Sequence, residues 1–190
     1  MAENFDAREL RLDSSMFDGN NGTSTIYARD GPVSAKDCSI INNLGPYDAS
    51  AAGVGGGINC WNCTVLIENC TVRNNTARMC SESANKTMHG WSGAGICLSY
   101  SDAVVNDTVI EGNGAVGGCG IFSGYSKLVT NRGTLNKNIA WTAGRSEGVG
   151  GGISTYGGQV TLNGVTIGYN RADTICGAIS NDGDLKNKGS

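Results

Sequence analysis

The stretch Val54-Gly55-Gly56-Gly57-Ile58, together with Asn75 seventeen residues beyond that isoleucine, decides the reading of the chain. With the isoleucine after the glycines as offset zero, equivalent openers occur at Ile96 (Gly93-Ala94-Gly95-Ile96), Ile121 (Gly118-Cys119-Gly120-Ile121) and Ile153 (Gly150-Gly151-Gly152-Ile153). Adding 17 to each gives Asn113, Asn138 and Asn170. The same ruler runs back to Ile26 with Asn43 and to position 3 with Asn20, and forward to a last opener at Gly177-Ala178-Ile179. A period concealed by insertions of unequal length is the signature of a repeat architecture.

Offset +14 reads Phe17, Ile40, Val72, Ile110, Leu135, Ile167, all large and apolar. Offset +7 reads Leu10, Val33, Val65, Ala103, Leu128, Val160, and +9 reads Leu12, Ala35, Ile67, Val105, Thr130, Leu162. The +12 column is smaller: Ser15, Cys38, Cys70, Thr108, Gly133, Val165. Side chains two apart on a strand share a face, so the pairs 0/+2, +7/+9 and +12/+14 are the inward residues of three short strands per repeat. The expected fold is all-β: a right-handed parallel β-helix of about six three-strand coils, each about 4.8 Å from the next. It forms a single domain over residues 3–180, followed by a polar tail, 181–190. Glycine before the opening isoleucine fits a bend that takes positive φ and passes close to its neighbours. Asparagine at +17 is expected to take the left-handed conformation and to stack as an amide ladder of Asn20, Asn43, Asn75, Asn113, Asn138 and Asn170.

All length variation falls between the +17 asparagine and the next opener, so the insertions leave one corner of the rod. Trp91 and Trp141 sit there with His89, an arrangement that makes either a sugar-stacking platform or an anchor for each loop. Six Asn-x-Ser/Thr triplets, at Asn21, Asn62, Asn69, Asn74, Asn85 and Asn106, are glycosylation candidates or a by-product of Asn- and Thr-rich turns.

A net charge of −3 without a basic stripe argues against nucleic acid as a partner, and no run is long and apolar enough to span a bilayer. Residues 1–17 lack the basic start and apolar core of a signal peptide, which leaves a cytoplasmic protein or a fragment of a longer secreted one. The unfinished seventh coil and the triplets favour the fragment.

Gly-Gly-Ala/Gly-Ile followed by Phe-x-x-Asn resembles the repeats of chlamydial polymorphic outer membrane proteins. Phe17-x-x-Asn20 matches the second half fully, whereas Val72-x-x-Asn75 and Ile167-x-x-Asn170 keep the register without the phenylalanine. The resemblance covers roughly residues 3–180 and implies a β-helical passenger region of a surface adhesin or fibre. The function expected is a non-catalytic structural or adhesive segment of an extracellular or cell-surface protein, able to associate end to end or with neighbouring solenoid segments and to meet a glycan. The alternative is a polysaccharide-binding or polysaccharide-degrading enzyme.

Chemistry has few footholds. A +11 ladder of Asp37, Asn69, Asp107 and Arg132 is the nearest thing to a carboxylate cluster, but Asn69 separates the aspartates by two coils. Glycosidase chemistry needs the two carboxyls at a fixed separation. Arg73 and Glu111, at +15, are expected to form a surface ion pair. No catalytic residue, metal or cofactor is assigned, because the Cys60-x-x-Cys63 pair lacks a second pair for zinc. Cys38 and Cys70 are read as neighbours in the small inward column, and Cys80 as the best candidate for a loop disulfide. Ser39, Thr71, Thr134 and Thr166 make a partial outward column at +13, too narrow for an ice-binding array.

Overall fold

The computed structural model describes residues 9–22, 24–45, 54–77, 92–116, 118–141 and 149–182. Three six-stranded parallel sheets form the walls of a parallel β-helix. The opening strands stack with Ile26, Ile58, Ile96, Ile121, Ile153 and Ile179 side by side. The second strands align Leu10, Val33, Val65, Ala103, Leu128 and Val160. The third align Phe17, Ile40, Val72, Ile110, Leu135 and Ile167. Each column is thus the one that the period specified, and together these side chains, except the exposed Ile179 of the last strand, form one continuous core. Position 3, Phe5 and the residues after Asp182 lie outside the described residues.

Four of the coils also carry a fourth short strand that the three-strand reading does not contain. Thr76–Ala77, Gly114–Val116, Ile139–Trp141 and Arg171–Ala172 make a four-stranded sheet, prolonged by single bridges to Leu44 and Asn21. Its inward residues Ala77, Ala115 and Ala140 are fully buried and, with Ala172, pack on Ala94 and Cys119 of the openers as a second, smaller core. The length variation therefore begins after this strand, not directly after the asparagine.

Among the described residues, the coils turn at three bends with one left-handed residue apiece. At +4 these are Asp30, Asn62, Tyr100, Tyr125 and Gly157; at +11, Ser14, Asp37, Asn69, Asp107, Arg132 and Gly164; at +16, Gly19, Asn42, Asn74, Gly112, Lys137 and Tyr169. The left-handed position thus precedes the ladder asparagine instead of falling on it. The glycine that precedes the opening isoleucine in the four middle coils is needed for close approach: a Cβ on Gly120 would lie 2.4 Å from the Gly152 carbonyl oxygen, and one on Gly95 2.5 Å from that of Gly120.

Candidate functional site

The residue after a left-handed position faces inward and, wherever it carries a polar side chain other than that of Ser15, links two coils; Gly31, Gly133, Gly158 and Val165 are the positions that carry none. At the third bend the residue is always asparagine. The Asn113 side-chain oxygen accepts the backbone N–H and the amide N–H of Asn75, both at 3.0 Å, while its own amide donates to the Val72 carbonyl and to Asn138. The pattern repeats from Asn20 to Asn170, so these amides hydrogen-bond from coil to coil along the rod, as the sequence implied. A buried polar group is tolerated in a core when it is satisfied in this way.

The other two bends use smaller groups for the same task. At the first, Cys63 N–H donates to Ser101 Oγ (3.0 Å) and Ser101 N–H to Ser126 Oγ (2.9 Å), while each hydroxyl donates to the carbonyl two residues before it. At the second, Cys38 N–H donates to Cys70 Sγ (3.4 Å) and Cys70 N–H to Thr108 Oγ1 (3.3 Å). Cys38, Cys63 and Cys70 therefore occupy ladder positions that serine or threonine fill elsewhere, which accounts for them without a metal. All seven described cysteines are free thiols, and Cys80 lies outside the described residues.

Burial pushes the Cys97 thiol up to about 12 and Cys119 higher still. Within the Cys60-x-x-Cys63 pair, the hydrogen bond from Cys60 holds Cys63 at about 6, against the effect of burial and with help from backbone N–H groups including that of Gly31. Cys60 keeps its proton and is raised far above its ordinary value.

The +11 ladder is engaged from coil to coil. Asn69 donates to Asp37 at 2.6 Å, and Arg132 grips Asp107 with two bonds at 2.8 and 2.6 Å. Arg132 holds the Asp107 carboxyl below its usual range, the reverse of what a general acid requires. Arg73 and Glu111 are register partners, but Glu111 forms its ion pair with Lys137, at 2.9 Å. Lys137, at +16, sits at a left-handed bend that brings its ammonium over the preceding coil.

Among the proposed platform residues, Trp141 ends its strand half-buried, its ring lying against the backbone of the preceding coil: a Cβ on Gly114 would come within 2.3 Å of it. Trp91 and His89 lie outside the described residues, as does Asn85. Asn62, Asn69 and Asn74 are the three left-handed bend residues of a single coil, each followed by a buried ladder residue and then a strand-opening threonine. The bend chemistry by itself writes Asn-x-Thr three times. Asn21 is exposed, and Asn106 accepts a 2.7 Å bond from Asn131 in a further outer ladder that continues to Asn163.

One surface feature had not been anticipated. Trp61, Tyr100, Tyr125 and Tyr156 lie at the first bend of four successive coils, with ring centroids 5.2, 5.2 and 5.3 Å apart. Tyr100 and Tyr125 stack within 12° of parallel and are 48% and 45% exposed. Both have positive φ, 52° and 47°, where the same bend elsewhere holds Asp30, Asn62 or Gly157. The left-handed region costs an L residue roughly 1–2 kcal/mol, least for Asn and Asp, and is out of the ordinary for a bulky side chain. A column at fixed offset does not collect the rings, because Trp61 and Tyr156 stand at +3 and Tyr100 and Tyr125 at +4.

The fold and its ladders define a polar-laddered parallel β-helix with an aromatic strip on one bend. No protein-family model matches the chain, and no curated protein is significantly similar to it.

Proposed function

We propose that the chain is a rigid, non-catalytic rod segment of an extracellular or cell-surface fibre or adhesin. The observation that carries this reading is the asparagine ladder that runs unbroken through the third bend of all six coils, with shorter ladders at the other two, so that the inside is committed to holding the rod together and variation is left to the outside. Exposed side chains at the bends, Asn62, Asn69 and Asn74 among them, fit a rod that displays its surface to other molecules. The resemblance to chlamydial surface-protein repeats supports the same assignment. Treating intact cells of the native source with a membrane-impermeant amine reagent tests it. The reading expects labelled chain, and chain labelled only after lysis overturns it.

The rod is also proposed to pair with a second solenoid segment. Leu10–Asp13 and Gln159–Asn163, the outermost strands of one sheet, each leave an edge unpaired among the described residues. Such edges invite strand addition. Light scattering from concentration-dependent rods supports this, and a monomer at high concentration excludes it.

A further inference from the structure

The geometry points to the Trp61, Tyr100, Tyr125 and Tyr156 strip as a binding site for a linear, uncharged polysaccharide lying along the rod axis. This goes beyond the rod reading and requires no cell-surface location.

Three observations carry it. First, the rings follow the axis with one ring per coil over four coils, a track of about 14 Å at the spacing of parallel strands. A straight track suits an extended polymer. Second, two successive coils place tyrosine in the left-handed position that asparagine, aspartate or glycine fills at the same bend of the other described coils. Backbone strain of this kind gathers at ligand-binding positions. Gly157 belongs to the same arrangement, since a Cβ there would lie 2.6 Å from the Tyr125 ring.

Third, no charged residue stands within the strip. Positions +3 and +4 of its coils are Trp61, Asn62, Ser99, Tyr100, Gly124, Tyr125, Tyr156 and Gly157. The coils on either side add Arg29 and Asp30, paired at 3.2 Å with Asp30 also accepting from Asn62, and Asp182, the register partner of Tyr156, so the flanking charge left unpaired among the described residues is a carboxylate that repels an anionic ligand. That composition favours a neutral ligand over a phosphate-bearing one. An aromatic ring offers a negative face, and tyrosine adds a hydroxyl. A pyranose offers the match, a face of C–H groups rimmed by hydroxyls. A proline-rich peptide fits less well, because its docking uses grooves between aromatic side chains, and here neighbouring rings touch and leave no slot.

The test is affinity electrophoresis and pull-down of the full chain with cellulose, xylan, mannan, chitin and β-1,3-glucan, with a proline-rich peptide alongside. Retention by at least one glycan is expected. It should weaken about tenfold or more in Tyr100→Asn/Tyr125→Asn, where asparagine suits the backbone and only the rings are lost. Tyr100→Phe/Tyr125→Phe should keep most of the binding, and Tyr169→Ala, which removes an exposed ring elsewhere, all of it. Binding to none of the five glycans, equal binding by the asparagine variant, or binding to the peptide alone overturns the inference. A chain that binds glycan but resists surface labelling would overturn the location and leave this site standing.

Discussion

The first and third bends of each coil use one backbone device, a left-handed residue followed by an inward ladder residue, yet they differ in what the sequence is free to do. At the third bend the inward residue is asparagine in all six coils, because its amide alone can accept two N–H groups and donate in both directions along the axis. At the first bend the inner residue is a thiol, a hydroxyl or, at Gly31 and Gly158, no side chain at all, and the outer residue ranges from Asp30 to Tyr125. What faces inward is prescribed by hydrogen bonding, whereas what faces outward is open to selection for something else.

The sharpest way to break that contrast is to remove one inner amide. Asn113→Ala leaves the backbone and amide N–H groups of Asn75 without acceptors in a fully buried site. At about 1–3 kcal/mol per orphaned group, a loss of about 3–5 kcal/mol is expected in urea denaturation. Exposed Asn20→Ala should lose far less. Equal losses would mean that the ladder is not what holds the bend. Gly120→Ala comes next. Its methyl would meet the Gly152 carbonyl oxygen, and forced overpacking of this kind costs about 1–3 kcal/mol.

Buried thiols give the inside a pH signature. Cys97 is raised to about 12 and Cys119 beyond it, so the folded state keeps protons that the unfolded chain releases from about pH 8.5. Their contribution is complete below that pH and declines as pH rises toward the folded values, by up to about 1.4 kcal/mol per unit for each thiol. Cys63, held at about 6, acts in the opposite sense. Its contribution is present above the unfolded value and is lost as pH falls through 6. Denaturation midpoints measured from pH 5 to 10 should therefore fall at both ends. Cys97→Ala should flatten only the alkaline side, and an unchanged alkaline slope would show that its thiol is not protected.

A smaller effect of opposite sign is expected where the interior is imperfect. The Thr130 hydroxyl is buried without a hydrogen-bond partner among the described residues, at the offset filled by Ile67 and Val105 in the preceding coils. Thr130→Val should stabilise the chain by about 1 kcal/mol. Thermal denaturation would show it, and a destabilised variant would mean that the hydroxyl has a role inside the rod.

The legibility of the chain divides along the same line. Large apolar residues and the asparagines recur at fixed offsets because each meets the same neighbours in every coil, and a ruler finds them. The alanines at +19, Ala77, Ala115, Ala140 and Ala172, recur just as strictly, but small residues carry little weight in a search for hydrophobic columns, so the fourth strand was missed. Left-handed positions were misplaced by one because the +16 column mixes Asn42 and Asn74 with Lys137 and Tyr169, residues that do not advertise positive φ. The aromatic strip is least legible, since its four rings are divided between two offsets and no one column holds more than two of them.

Tyr100→Asn is the mildest of these substitutions and separates the two bends most directly. If the first bend's outer position is free of structural duty, replacing a half-exposed ring by the residue that Asn62 already provides one coil earlier should leave stability within about 1 kcal/mol of the parent. Relief at the left-handed backbone and loss of stacking on Trp61 and Tyr125 act in opposite directions and are of similar size. A near-zero change in the urea midpoint, with altered Trp61 emission to show that the stack is broken, would mean that the rings are kept for a purpose other than folding. A loss as large as that from Asn113→Ala would instead make the strip a third structural ladder, placed on the outside, and the contrast between the two bends would disappear.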